Sequence, residues 1–146
     1  MSRSKFNVSS DKNRRTYNGI VFDSELEMKY YRDVLLPAVE CGEIVEYELQ
    51  KKYELQSKFK KDNKTIRAID YIADFYIKYS SGEEVAIDIK GMPDSVAKLK
   101  RKMFWYKYPD INYKWICYSK IDGGWCDYEY VNQQRAIRKK NKDLKG

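Results

Sequence analysis

Asp74, Asp88 and Lys90 are the residues of this chain whose types and spacing could do chemistry. Two carboxylates and a lysine on one face of a hairpin suit a hard divalent cation held beside a scissile phosphate. Carboxylates that close repel each other, and a cation between them relieves the conflict. The sequence contains no histidine, so a general base or metal ligand must be a carboxylate, a lysine or a backbone carbonyl. That favours magnesium or manganese over zinc. Three cysteines, Cys41, Cys117 and Cys126, are odd in number and far apart, and support neither a disulfide framework nor a structural zinc site.

The elements that must position these groups can be read from alternation. Ile66 to Tyr79 places Ile69, Tyr71, Ala73, Phe75, Ile77 and Tyr79 on one side and Asp70, Ile72, Asp74 and Tyr76 on the other, the pattern of a strand. Glu83 to Lys90 repeats it, with Val85, Ile87 and Ile89 opposite Glu84, Ala86, Asp88 and Lys90. Ser80-Ser81-Gly82 between them suits a three-residue hairpin loop with a G1 bulge. Counting back from that loop pairs Tyr79 with Glu83, Ile77 with Val85 and Phe75 with Ile87, so Asp74 faces Asp88. Directly opposed residues have Cβ atoms roughly 4.5–5.5 Å apart. The competing reading is a cross-strand ion cluster on a solvated face. Asp70, on the same face, reads as a surface group, and Gln50 and Gln56 either orient water or phosphate or are ordinary strand-end polar residues.

Glu27 is the third carboxylate. Ser24-Glu25-Leu26-Glu27 matches a capping box, a purely structural role. At about 100° per residue, however, Glu27 falls inside the apolar arc of Leu26, Tyr30, Tyr31, Val34 and Ala38, while Glu25 points to solvent. A carboxylate aimed at the core needs a partner. The capping amide could supply it, and so could a metal.

The helix carrying Glu27 is expected from Ser24 to about Val39, after a small ribbon around Asn18-Gly19. One long or two short strands follow from Glu43 to about Phe59, then a turn over Lys60–Lys64, the hairpin, and a helix from Met92-Pro93-Asp94-Ser95 through about Tyr106. That helix should bury Val96, Leu99, Met103 and Tyr106 and expose Lys98, Arg101, Lys102 and Trp105, a face suited to nucleic-acid backbone contacts or simply the solvated side of an amphipathic helix. Tyr113–Tyr118 reads as a strand, Asp122-Gly123-Gly124 as a turn and Cys126–Lys140 as a basic helix. The expected organisation is a disordered basic arm over 1–14, one domain over 15–131 and a basic helix or tail over 132–146.

The net charge of +7 is concentrated at the ends. Residues 1–15 carry five basic groups and one acid, and residues 132–146 carry six and one. Arg14, Arg15, Arg135, Arg138, Lys139 and Lys140 are therefore candidate phosphate contacts, the alternative being solubilising tails. No apolar run approaches the roughly 20 residues of a membrane span, and no signal peptide is visible. A cytoplasmic protein without a membrane partner is expected.

Phe22-Asp23-Ser24-Glu25-Leu26-Glu27, then Ala73-Asp74-Phe75, then Asp88-Ile89-Lys90-Gly91 resembles the PD-(D/E)xK nuclease superfamily. The glutamate in the first helix is similar to that of phage junction-resolving endonucleases and of the end-cleaving subunit of certain transposases. With Arg67-Ala68-Ile69 and Lys98-Leu99-Lys100-Arg101-Lys102, the chain also looks like the small phage-encoded group domain-of-unknown-function 1064. The resemblance covers about residues 15–119. Ala73 stands where the superfamily often has proline, a position that coordinates nothing. The resemblance implies a restriction-endonuclease-like α/β fold, an αβββαβ core with a mixed central sheet flanked by helices. It implies a Mg²⁺ (or Mn²⁺) cofactor held by Asp74, Asp88 and the Ile89 carbonyl, with Glu27 completing the shell. Lys90 would position the attacking water, and the product would carry a 5′-phosphate. The expected activity is a DNA endonuclease selective for branched DNA such as a Holliday junction, because no base-reading module is visible. Branch resolution would need paired sites, hence a homodimer. An exonuclease or sequence-specific nuclease on the same core, or an inactive nucleic-acid-binding or host-interaction protein, are the alternatives.

Overall fold

A computed structural model describes residues 11–145. Of the expected disordered arm, residues 1–10 lie outside the described residues, whereas Lys12–Arg15 forms a 3₁₀ turn capped by Asp11, whose carboxylate accepts the Asn13 N–H. Strands β1 (Thr16–Tyr17) and β2 (Ile20–Val21) pair across Asn18-Gly19, both at positive φ. This is the ribbon that the dipeptide signals.

Helix α1 (Glu25–Tyr30) starts at Ser24, whose hydroxyl accepts the Glu27 N–H at 3.1 Å. It runs through a π turn (Tyr31–Leu35) into α2 (Leu36–Glu40). Pro37 has no N–H to offer and crowds the preceding turn, which is where the helix widens. The widening changes the buried face. Met28 and Leu35 are buried beside Tyr30 and Tyr31, while Leu26, Val34 and Ala38 of the expected arc are only partly covered.

The sheet contains β3 (Ile44–Gln56), β6 (Ile69–Tyr79), β7 (Glu84–Ile89), β8 (Asn112–Ser119) and β9 (Gly124–Asp127), in the order β3-β6-β7-β8-β9. Its β7–β8 pair is parallel, joined by α3 (Ser95–Lys107), and the other pairs are antiparallel. The chain is thus a mixed α/β protein with a five-stranded mixed sheet flanked by helices, in the expected αβββαβ order with β9 added. Two expectations change. Lys60–Lys64 is not merely a turn but most of a hairpin, β4 (Phe59–Lys61) with β5 (Lys64–Ile66), closed by Asp62-Asn63 at positive φ. Cys126 belongs to β9, paired with Cys117 in β8, and the last helix, α4 (Tyr128–Lys145), starts later. Both cysteines are free.

Each face of the sheet carries a core. Phe75, Ile77, Val85, Ile87 and Ile89 pack with Met28, Tyr30 and Leu35 on the α1 side. Tyr53, Tyr71, Ala73, Tyr76, Ala86, Tyr113 and Trp115 form the other core with Phe104 of α3. The expected face of α3 is corrected, because Val96, Leu99 and Tyr106 are exposed and Phe104 is fully buried. Its ring lies 5.0–5.5 Å from those of Tyr53, Tyr71, Tyr108 and Tyr113, and this aromatic nest outweighs the aliphatic stripe in setting the helix phase. Among the described residues no helix is long and apolar enough to cross a membrane.

The alternation of β6 slips at one place. Tyr71 and Ala73 pack on the α3 side, but Phe75 and Ile77 pack on the α1 side, so the strand does not keep one face from Ile69 to Tyr79 as expected. Strand β3 slips with it. Leu49 pairs with Phe75 and Lys51 with Ala73, and the intervening Gln50 has φ +53°. The irregularity lies at Asp74, and it is what frees that side chain from the regular pleat.

Candidate active site

The β6–β7 pairs are Lys78 with Glu84, Ile77 with Val85, Tyr76 with Ala86 and Phe75 with Ile87, the register that the Ser80-Ser81-Gly82 loop dictates. Gly82 adopts φ +91° and its N–H donates to the Tyr79 carbonyl. At the next step side chains replace the backbone ladder. The Asp74 N–H donates to Oδ1 of Asp88 at 3.2 Å, and the Ile89 N–H donates to Oδ2 of Asp74 at 2.9 Å. Each aspartate holds the other's strand, and the two carboxylates meet where the strands part.

Asp88 is 4% exposed. Its Oδ2 accepts the Tyr113 hydroxyl at 3.3 Å and lies 3.5 Å from Nζ of Lys90. The Trp115 indole N–H in turn donates to the Tyr113 hydroxyl at 2.8 Å. Burial, then the Asp88 charge, push the Tyr113 phenol above its ordinary pKa, so it remains a donor. Asp88, Lys90 and Tyr113 border a cleft of about 330 Å³ that Asp70, Asp74 and Lys100 also line. Burial, followed by the Asp88 charge, pushes the Asp74 carboxyl up to about 7, against the pull of the Ile89 N–H and Lys90.

Glu27 comes from the α1 side and does not line the cleft. It is 4% exposed, and its Oε2 is buried without a hydrogen-bond partner. Burial first, then Asp74, Asp23 and Asp88, push its carboxyl up to about 9. Glu25, by contrast, forms exposed ion pairs with Lys29 and Arg14. An orphaned carboxylate oxygen that feels three further carboxylates, Asp74 and Asp88 among them, fits the donor chemistry of a hard cation. As the side chains stand, no group of three or more metal-ligating side chains among the described residues is arranged to hold an ion. Asp74 and Asp88 are spent on backbone and tyrosine partners instead.

Among the expected phosphate contacts, Lys98, Lys102, Arg135, Lys139 and Lys140 are exposed. Four others have structural partners. Arg101 lies 3.8 Å from the centre of the Trp115 ring and pairs with Glu129, because the rotation of α3 turns it inward. Arg138 pairs with Asp122 at 2.6 Å, Arg15 donates to the Phe22 carbonyl at 2.8 Å, and Arg14 is 3.9 Å from Glu25. Gln50 and Gln56 are exposed on β3, and Asp70 pairs with Lys52 at 3.4 Å. Lys100 and Tyr113 were not anticipated in the cleft. Tyr113 had a signal, since it and Trp115 share a face of β8. Lys100 had none while the phase of α3 was set by its aliphatic residues.

No curated protein matches this chain, and no solved structure matches it. The profile of one family matches residues 3–122. The chain belongs to that family, described as "protein of unknown function (DUF1064)".

Proposed function

We propose that this protein is a metal-dependent DNA endonuclease, hydrolysing phosphodiesters at the Asp74–Asp88–Lys90 cleft with Mg²⁺ or Mn²⁺ as cofactor. The observation that carries the reading is the exchange of hydrogen bonds between Asp74, Asp88 and Ile89, which brings two carboxylates together at the end of a strand pair with Lys90 3.5 Å away. Asp74, Asp88 and the Ile89 carbonyl would hold the cation, with Glu27 completing the shell. When bound, such a cation supplies positive charge that polarises the phosphate and acidifies a water.

The chain's own groups do the rest. Lys90, one fifth exposed in its side chain, orients the attacking water and offsets negative charge on the phosphate in the transition state. Tyr113, fixed by Trp115, keeps Asp88 in place. Lys98 and Lys102 on α3, with Arg135, Lys139 and Lys140 on α4, offer cations to phosphate backbones. Nothing in this set reads base edges, which favours recognition of DNA shape and a branched substrate. Two cuts across a branch need two sites, which a homodimer supplies.

The test is to incubate the protein with junction, flap, duplex and single-stranded DNA in Mg²⁺, Mn²⁺ or EDTA, beside Asp88→Ala. Metal-dependent cleavage of branched DNA, absent in the variant, is expected. Cleavage that persists in EDTA or in the variant would sink the site, and binding without cleavage in any metal would sink the activity.

A further inference from the structure

The β4–β5 ribbon leaves the sheet where the long β3–β6 pairing ends at Gln56 and Ile69. Its base is anchored, since Leu55 is buried and the Tyr108 hydroxyl donates to the Glu54 carbonyl at 2.8 Å. Beyond that base every residue from 57 to 67 is exposed. Lys58, Lys60, Lys61, Lys64 and Arg67 stand there against a single acid, Asp62. The two-residue turn has Asp62 at φ +50° and Asn63 at φ +63°, the signature of a tight type I′ connection that keeps the ribbon regular.

Three features of this ribbon are unexplained by folding alone. A lone two-stranded hairpin is marginal in water unless something packs on it, yet Phe59 and Ile66 face each other across the strands with 45% and 38% of their surface exposed. Lys61 and Lys64 are directly opposed, an arrangement that destabilises a hairpin unless an anion lies between them. Cations also occupy both faces. Alternation puts Lys61 and Lys64 on the face of Phe59 and Ile66, and Lys60, with Lys58 and Arg67 beyond the paired residues, on the other. A flat anionic surface would meet only one of those faces. A groove walled by phosphates on each side meets both, and the major groove of duplex DNA is wide enough to admit a two-stranded ribbon.

We infer that the β4–β5 ribbon is a DNA-binding arm that enters a groove of duplex DNA beside the cleft. The inference rests on the nuclease reading only for where the cut falls. From Lys64 to Asp74 is ten residues, at most roughly 36 Å of chain. Lys64 therefore meets duplex within about eleven base pairs of the phosphate at Asp74, at about 3.4 Å per step.

The test is a binding measurement in EDTA, independent of cleavage, with the full chain and a labelled duplex or single strand of equal length across a salt series. Lys60→Gln/Lys61→Gln/Lys64→Gln removes three ribbon cations, and Lys29→Gln/Lys78→Gln/Lys120→Gln removes three elsewhere. The ribbon variant should lose tenfold or more in duplex affinity, and its slope of log K against log salt should fall by about 2–3. Its loss on single strands and the control variant's loss on duplex should both be smaller. Lys64→Gln alone should lower duplex affinity while melting no lower than the unaltered protein, because it removes the opposed lysine. An unchanged salt slope, equal losses on duplex and single strand, equal losses in the control, or no DNA binding at all would each overturn the arm. Ribbon-dependent duplex binding by a protein that cuts nothing in Mg²⁺ supports the arm and removes the nuclease. Cleavage with an unchanged slope does the reverse.

Discussion

Asp74 and Asp88 are joined by a hydrogen bond from the backbone N–H of the first to Oδ1 of the second, 3.2 Å long, at the point where their strands stop pairing. The bond gives Asp88 a structural role beside the catalytic one proposed for it. Asp88→Ala leaves the Asp74 N–H and the Tyr113 hydroxyl without their acceptor, a loss of about 1–3 kcal/mol. Asp88→Asn keeps an accepting oxygen and should stay within about 1 kcal/mol of the unaltered protein. Both should lose cleavage by about a hundredfold or more. Urea unfolding beside a cleavage assay separates the two effects, and full activity in Asp88→Asn would refute the catalytic role.

Stability should fall as pH rises. The Glu27 carboxyl is held neutral up to about 9 in the fold, against 4.5 ordinarily, and Asp74 up to about 7, against 3.8. Across those windows the unfolded chain gives up its protons while the fold retains them, so the unfolded state gains on the native one. Below both ordinary values the penalty vanishes. In EDTA, Glu27→Gln should flatten this dependence and be more stable at pH 8 by about 1–3 kcal/mol. Melting curves between pH 5 and pH 9 check it, and a variant no more stable at pH 8 would contradict it.

A bound cation should cancel the same penalty. Mn²⁺ at a hundredfold excess over its dissociation constant stabilises a one-site protein by about 2.7 kcal/mol. The rise in melting temperature should be larger at pH 8 than at pH 6, where protons compete for Glu27 and Asp74. Asp74→Asn should abolish most of the response. A response of equal size in that variant would place the ion elsewhere.

Neighbouring cations on α3 should behave differently. Arg101 packs on Trp115 and pairs with Glu129, so Arg101→Ala should cost about 1–2 kcal/mol of stability. Lys98→Gln/Lys102→Gln should leave stability unchanged and reduce the salt slope of DNA binding by about 2. Thermal melts and anisotropy titrations give both quantities. Unaltered DNA binding in the lysine pair would remove α3 from the interface.

The hairpin register was legible because a three-residue loop and strict pairing leave no freedom, and Phe75 does face Ile87. The inward aim of Glu27 was legible from its angle on the helix. The slip at Asp74 was not, since hydrophobic residues fill both faces of the sheet and alternation looks intact across the break. The phase of α3 was hidden because its anchor, Phe104, packs on tyrosines from β3, β6 and β8, contacts that local periodicity does not contain. The same error concealed Lys100 and gave Arg101 to solvent. The β4–β5 ribbon was hidden by its shortness, its turn lying within a run of lysines.

Strand β3 is 13 residues long and forms one border of the sheet. A border of that length, if flat, is a template on which a second molecule can add its own strand and begin an aggregate. Gln50, at φ +53°, breaks it near the middle, and Glu46, Glu48, Lys51, Lys52 and Glu54 charge what is left. The distortion that makes room for Asp74 inside the sheet thus also keeps its outer edge from recruiting copies of itself.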